Sequence, residues 1–172
     1  MQELDMLDQY IIDHPGRAFF SPPASLEEIT SLETHLGRAL PPSFRALLLR
    51  HDGGFIAADS MSDVPAWELE TEAWNSIRIM SVTDIREEAD QLQRQHVALA
   101  LKAPLRYIPC IYGLNQELLV FDAATNAQSG PPILDAFHEI SPNRWEIAFE
   151  SFAEFLKKYI EVEGNLDTVY TG

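Results

Sequence analysis

The sequence predicts an α+β domain in which N-terminal helices precede a mainly antiparallel sheet with an inserted helix and a C-terminal packing helix. Two patterns carry this prediction. Apolar residues recur at helical spacing near both ends of the chain, whereas from about residue 55 to 140, apart from one inserted helix, they follow the period of two typical of strands. A chain of 172 residues is long enough for one globular domain, and a domain of this size buries roughly 70% of its surface without needing a disulfide or a metal.

Residues 1–24 predict a short helix and a turn-rich lead-in to the domain. Apolar side chains at helical spacing fill residues 1–13, and the turn residues 14–16 end this helix. The remainder of the segment is interpreted as turns, although Phe19 and Phe20 need apolar cover.

Capping residues define the next two helices. Ser25 and Glu28 have the spacing of a capping box, and Gly37 is placed to end that helix as its C-cap. Pro41 indicates the start of a third helix, which closes before Gly53-Gly54. Adjacent glycines permit positive φ angles and a tight entry into the sheet.

Alternating polar and apolar residues predict the strands. In residues 66–73, Trp67, Leu69 and Thr71 alternate with three glutamates, which indicates a half-buried strand with an acidic outer face. The other predicted strands cover residues 74–80, 106–112, 117–121 and 133–140, with a hairpin turn at 113–116.

Two further helices complete the prediction. Ser81 or Thr83 caps the inserted helix, which runs to about residue 94. An apolar stripe from Ile147 to Tyr159 predicts the closing helix. We expect residues 25–163 to form a single domain and residues 164–172 to be a frayed tail.

The charge of the chain restricts its partners. The formal net charge is −15, so the protein repels phosphate backbones and anionic lipid, and we expect neither nucleic-acid nor membrane binding. Residues 59–90 hold nine acidic and two basic residues, a net charge of −7. Such a segment is either a solvated surface or a docking face for a cationic protein.

The sequence also indicates a soluble cytoplasmic protein. No apolar run approaches the roughly 18 residues of a membrane span. Residues 1–13 contain four acidic residues and no basic one, the opposite of a signal-peptide start.

No catalytic constellation or cofactor motif is present in the sequence. It has no glycine-rich phosphate loop, no nucleophile elbow and no pair of histidines four residues apart, so we expect no enzyme, cofactor or metal site. Cys110 lies in an apolar run and is interpreted as a small buried side chain rather than a nucleophile. Two carboxylates that meet in a cleft remain a lesser, catalytic alternative.

The N-terminal third resembles the SUKH superfamily. The residues that carry the resemblance are Leu26-Glu27-Glu28-Ile29, Leu36-Gly37, Leu40-Pro41, Phe44-Arg45 and Asp52-Gly53-Gly54-Phe55. Later segments that fit the same order are Tyr107-Ile108-Pro109, Phe121-Asp122 and residues 151–156. One departure is Asp52, which stands where the family usually has asparagine; aspartate also suits a turn, so the fold inference holds.

The resemblance implies protein binding rather than catalysis. Bacterial members look like immunity proteins that neutralise toxins, often nucleases, of contact-dependent or polymorphic toxin systems. Fungal relatives look like regulators of cell-wall synthesis that act as interaction hubs, so a regulatory module without a toxin partner is the alternative. The motif residues are interpreted as structural rather than chemical: Leu36, Gly37, Leu40, Pro41, Asp52, Gly53, Gly54 and Asp122.

The acidic segment gives the predicted partner-binding residues. A basic toxin domain would be attracted to an acidic inhibitor, and interface energy concentrates in aromatic anchors surrounded by polar groups. We therefore expect a monomer that binds a cationic protein through the following residues: Asp59, Asp63, Trp67, Glu68, Glu70, Glu72 and Trp74.

Overall fold

The computed structural model describes residues 2–95, 105–113, 117–125, 130–136, 139 and 141–165. Within these ranges the chain forms α-helices and one antiparallel sheet, which confirms the predicted α+β class. The helices are α1 (Gln2–Asp13), α2 (Leu26–Leu36), α3 (Pro42–Leu48), α4 (Ala66–Asn75), α5 (Val82–Gln95) and α6 (Phe152–Glu161). The strands are β1 (Ala18–Phe20), β2 (Gly54–Ile56), β3 (Arg78–Ile79), β4 (Tyr107–Tyr112), β5 (Leu118–Asp122), β6 (Ile133–Asp135) and β7 (Glu146–Phe149).

The sheet follows the order of the chain. Its seven strands lie side by side from β1 to β7, and each described neighbour pair is antiparallel. Helices α2 and α3 lie in the chain between β1 and β2, α4 between β2 and β3, and α5 between β3 and β4. The antiparallel pair β4–β5 thus lies in the middle of the sheet. The first three strands of the sheet, in contrast, are separated along the chain by helices.

The predicted helix caps are present. The Ser25 hydroxyl accepts from the backbone N–H of Glu28, whose carboxylate accepts from the Ser25 N–H at 2.8 Å. Gly37 ends α2 in the left-handed region at φ 70°. Pro41 is the N-cap of α3, which begins at Pro42, and Leu40 just before it is buried.

The main core lies between the helices and one face of the sheet. It joins fully buried residues of α2 and α3 to Phe121 of β5 and Phe155 of α6. Side chains alternate along a strand, so Val120, next to Phe121, belongs to a second, smaller apolar cluster with Leu134 and Trp145. The sheet is thus covered by apolar side chains on both faces in its central part.

Tyr159 ties α6 to the edge half of the sheet. Its side chain is fully buried, and its hydroxyl donates to the carbonyl of Ile77 at 2.7 Å and accepts from the N–H of Ile56 at 2.8 Å. One phenol thus satisfies backbone groups of β2 and of the segment entering β3, which would otherwise be buried without partners.

Helix α1 packs on the domain. Leu4 and Leu7 are buried in the main core, and Asp8 accepts hydrogen bonds from Arg50 and from the imidazole of His51, both at 2.7 Å. These contacts join α1 to the end of α3, so residues 2–13 are part of the packed structure.

The largest departure from the sequence prediction is α4. Residues 66–73, predicted as a strand, are helical, and of the predicted strand at 74–80 only Arg78–Ile79 pairs in the sheet. The alternation of polar and apolar residues suggested a strand, but glutamate, alanine and leucine favour helices, and glutamate and alanine are depleted in strands. Pro65 precedes the helix as its N-cap, a helix-start signal that the alternation obscured.

Two smaller predictions are also corrected. Phe19 and Phe20 are in strand β1 rather than in turns, paired with Phe55 and Gly54 of β2. Ile147 and Ala148 belong to β7, and the closing helix begins only after its N-cap, Ser151. A three-residue strand gains its stability from a distant partner, which local sequence does not show.

Some predicted elements lie partly outside the residues that the structure describes. The strand predicted at 133–140 ends at Asp135. The hairpin turn residues 114–116 and the tail residues 166–172 lie outside the described residues, although the β4–β5 pairing on either side of the turn is antiparallel, as predicted.

Replacing Tyr159 with phenylalanine should lower the free energy of unfolding by about 1–3 kcal/mol, because two buried backbone groups lose their partner. Tyr10→Phe is the matched control, since the buried Tyr10 hydroxyl has no hydrogen-bond partner among the described residues. Urea unfolding of both variants checks this. Equal losses from the two substitutions would contradict the assigned role of Tyr159.

Candidate functional site

Helix α4 presents an aromatic and acidic surface to solvent. None of its ten residues is buried, and the side chains of Trp67 and Trp74 are 66% and 62% exposed. At about 100° per residue, Trp67, Glu70 and Trp74 share one face of the helix. We call these three residues the α4 face.

The other predicted acidic residues lie around this face rather than on it. Glu68 and Glu72 are one turn apart on a different side of α4, and Glu72 accepts a hydrogen bond from the N–H of Ala58 at 3.1 Å. Asp59 and Asp63 are exposed in the segment that leads into the helix. The strand prediction placed all three glutamates on one face; in the helix Glu70 separates from the other two.

Two grooves flank the C-terminal end of α4. Ala73 lines the first, a groove of about 500 Å³ that we call the phenylalanine groove. Phe19 and Phe55 stack there with ring centroids 5.4 Å apart. Trp74 lines the second, a groove of about 420 Å³ that we call the tryptophan groove, with Trp145 and Tyr112 among its other lining residues.

At the phenylalanine groove, the positive charge of Arg78 lies close to the negative charge of Asp84. The guanidinium of Arg78 is 3.6 Å from the carboxylate of Asp84 and 4.5 Å from the ring centroid of Tyr112. Asp84 also accepts from the hydroxyl and the N–H of Ser81 at 2.7 and 2.9 Å, which caps α5. These groups fix the start of α5 against β3.

Asp52 and the two glycines after it form a close-packed corner beside this groove. The Oδ1 atom of Asp52 accepts from the N–H of Val82 at 2.8 Å. A Cβ at Gly53 would lie 2.7 Å from the carbonyl oxygen of Ile79, and one at Gly54 would lie 2.5 Å from that of Phe19. Both glycines have positive φ, so any side chain here would force β1 and β3 away from β2.

Asp52 performs its role through an oxygen acceptor, which asparagine also provides. Burial, together with the nearby carboxylates of Glu28 and Asp84, raises the pKa of Asp52, although its bond from Val82 opposes the shift. The asparagine that the resemblance implies at this position would keep the acceptor without the charge. The departure at position 52 is therefore compatible with the same corner geometry.

Asp122 has contacts that organise the end of β5. Its carboxylate accepts two hydrogen bonds from Arg106, at 2.9 and 2.8 Å, and one from the N–H of Ala124 at 3.2 Å. The Arg106 bond is the main reason that the pKa of Asp122 is lowered. These bonds stabilise the turn at the end of β5, and they give Asp122 a structural role.

The described residues contain no group of three or more His, Cys, Asp or Glu side chains arranged to hold a metal ion. Cys110 is fully buried, and burial raises the pKa of its thiol well above the ordinary value. A thiol in this state is a poor nucleophile. No helix in the described ranges is both long and apolar enough to cross a bilayer.

The chain belongs to the SMI1 / KNR4 family (SUKH-1), whose sequence model matches residues 23–158. The match includes α4, the tryptophan groove and the Asp52 corner, whereas Phe19, Phe20 and Ser21 of the phenylalanine groove lie before its first residue. No curated protein matches the sequence at a significant level. Members of this family are generally non-catalytic domains that bind partner proteins, and immunity proteins are among them.

Sequence reasoning missed both grooves. Trp74, Tyr112 and Trp145 come from three separate parts of the chain, and only the folded sheet brings them together. The sequence shows that the chain has three tryptophans, but only the structure shows that two of them line the same groove.

Asp52→Asn should raise stability at neutral pH, because it keeps the acceptor for Val82 and removes a carboxylate whose pKa is raised. A raised pKa means that the folded protein holds the proton more tightly, so ionisation of Asp52 lowers stability as pH increases. The advantage of the asparagine variant should therefore shrink as pH falls through the raised pKa toward 3.8, the ordinary value.

Asp52→Ala is the companion variant and should cost about 0.5–2 kcal/mol, because the Val82 N–H loses its acceptor. Urea unfolding of wild type and both variants across that pH range checks the pair of expectations. An asparagine advantage that grows on acidification would contradict the assignment.

Proposed function

We propose that this protein is an immunity protein that neutralises a cationic toxin domain by binding it, with the α4 face at the centre of the interface. The observation that carries the proposal is a solvent-facing helix with two exposed tryptophans and no buried residue, in a family of protein-binding domains. A large exposed aromatic pair with polar surroundings is typical of interaction sites.

The negative charge of the protein supports the proposal that its partner is basic. The net charge of −15 attracts basic proteins, and the exposed acids Asp59, Asp63 and Glu70 lie on α4 or just before it. Nuclease toxins bind phosphates and are therefore basic, so an acidic inhibitor would associate with them rapidly and cover their substrate groove. The proposed partner is thus a nuclease-type toxin of a polymorphic or contact-dependent system, met in the cytoplasm.

The proposed interface includes all seven residues predicted from the sequence, with roles set by their positions. Trp67 and Trp74 are the aromatic anchors and Glu70 lies between them. Asp59, Asp63 and Glu68 form an acidic rim, whereas Glu72 also supports the preceding segment through its bond from Ala58.

A pull-down from native cells with the tagged protein tests the function. At low salt we expect a basic toxin domain, identified by mass spectrometry, and we expect its release as salt rises because exposed charge pairs are screened. In cells shown to express such a toxin, recovery of only other cellular proteins would contradict the immunity proposal and favour the regulatory alternative.

Trp67→Ala should weaken binding of the captured partner at least about tenfold, mainly by faster dissociation, because a central aromatic anchor is lost. Ile12→Ala is the matched control, since Ile12 is an apolar side chain of α1 that is 70% exposed. Surface plasmon resonance measures both. Equal affinities for wild type and Trp67→Ala would contradict the proposed place of α4 at the centre of the interface.

A further inference from the structure

The phenylalanine groove combines an aromatic wall with a carboxylate, and the structure describes every residue that lines it. Phe19 and Phe20 of β1 are half-buried, so their rings remain partly open to solvent, and Phe55 is buried against Phe19. Asp52 lines the same groove and is also half-buried. A side chain that enters the groove would therefore contact aromatic carbon and a carboxylate together.

The carboxylate of Asp52 lacks a positively charged partner in the part of the chain that the structure describes. Its Oδ1 atom accepts from the N–H of Val82 at 2.8 Å, and its Oδ2 atom accepts no hydrogen bond from a described residue. The charged groups that act on its pKa are the carboxylates of Glu28 and Asp84, which add to the effect of burial and raise it. A half-buried carboxylate with acidic neighbours destabilises the free protein when it ionises, and a cation supplied from outside would offset this effect.

Arg78 is the basic residue among those that line the groove, and its charge is already engaged. Its guanidinium lies 3.6 Å from the carboxylate of Asp84 and 4.5 Å from the ring centroid of Tyr112. The charges of Arg78 and Asp84 therefore compensate each other, and the charge of Asp52 remains. The groove thus favours a cation over an anion.

A lysine side chain matches these features better than an arginine side chain does. The aliphatic stem of lysine packs on apolar surface, and its ammonium is a compact charge that pairs with a single oxygen atom. Arginine pairs best with both oxygens of a carboxylate, but Oδ1 of Asp52 is already bonded to Val82. Ser21 and Thr83, both exposed, also line the groove, and their hydroxyls are acceptors for further ammonium hydrogens.

We propose that the phenylalanine groove binds a lysine side chain of the cationic partner protein, with the ammonium paired with Asp52 and the stem against Phe19 and Phe20. This inference rests on the proposed function and names the group that the partner inserts. A groove of about 500 Å³ has room for one such side chain.

The groove adjoins the proposed interface, because Ala73 of α4 lines it. A partner that lies along α4 could therefore insert one lysine into the groove. Salt screens a half-buried pair less than it screens exposed acids such as Asp59 and Asp63. The lysine would thus fix the position of the partner, whereas the exposed acids would mainly speed its approach.

The first test uses the isolated protein and three probe peptides: acetyl-Gly-Lys-Gly-amide and the same peptide with Nε-acetyllysine or with arginine at its centre. Nitrogen-15 NMR follows the backbone N–H signals of Gly54, which lines the groove, and of Val82, which is bonded to Asp52. The lysine peptide should shift both signals saturably and bind several-fold more tightly than either other peptide. No shift of these signals, or equal binding of the acetyllysine or arginine peptide, would overturn the proposal.

The second test uses paired variants. Asp52→Asn retains the acceptor for the Val82 N–H and removes the charge, so it should weaken binding of the lysine peptide several-fold and leave the corner intact. Asp13→Asn is the matched control, because it removes the same charge from an exposed position at the end of α1. Ser21→Lys should also prevent binding, since the chain's own ammonium would fill the groove, whereas the neutral Ser21→Gln should still bind. Equal binding by wild type and Asp52→Asn would overturn the proposal.

The outcomes separate this inference from the immunity proposal. Binding of the lysine peptide in the groove, without capture of a toxin from cells that express one, would support the lysine site and contradict the immunity function. Capture of a toxin whose affinity is the same for wild type and for Asp52→Asn would support the function and overturn the groove as its contact.

Discussion

The corner at Gly53-Gly54 constrains the edge of the sheet and the start of α5 together. The two glycines leave no room for a Cβ between β2 and the backbones of β1 and β3, and Asp52 binds the first N–H of α5. Tyr159 fixes the same region from the core side through Ile56 and Ile77. The phenylalanine groove depends on this arrangement, because Asp52 and Gly54 line it.

The parts of the fold that sequence predicted well are those with local signals. The Ser25-Glu28 box and Gly37 define α2 through hydrogen bonds within a few residues of each other, and α5 follows from its own periodicity and cap. Strands β1 and β7 have no such signal, since Phe19 and Ile147 become strand residues only through partners far along the chain. In α4, period-two alternation competed with helix propensity, and propensity prevailed.

The sequence predicted which residue types form the candidate site, but it did not predict how those residues are arranged in space. Acidic charge around Asp59 to Glu72 and the tryptophans at 67 and 74 are visible in the sequence, and the structure leaves both tryptophans exposed. Their common face with Glu70 and the separate position of Glu72 follow only once α4 is known to be a helix, and the groove that Trp74 shares with Trp145 requires the tertiary structure. An immunity role fits these features because charge would bring a basic partner close, while the aromatic anchors would hold it.

Hydrogen exchange measured by mass spectrometry, on the protein alone and bound to the partner captured from its native cells, tests the central claim most directly. We predict slower exchange in α4 (Ala66–Asn75) and in β1 (Ala18–Phe20), which lines the phenylalanine groove, with unchanged exchange in α1 (Gln2–Asp13). Protection confined to α1 and α6, with α4 exchanging as in the free protein, would contradict the account.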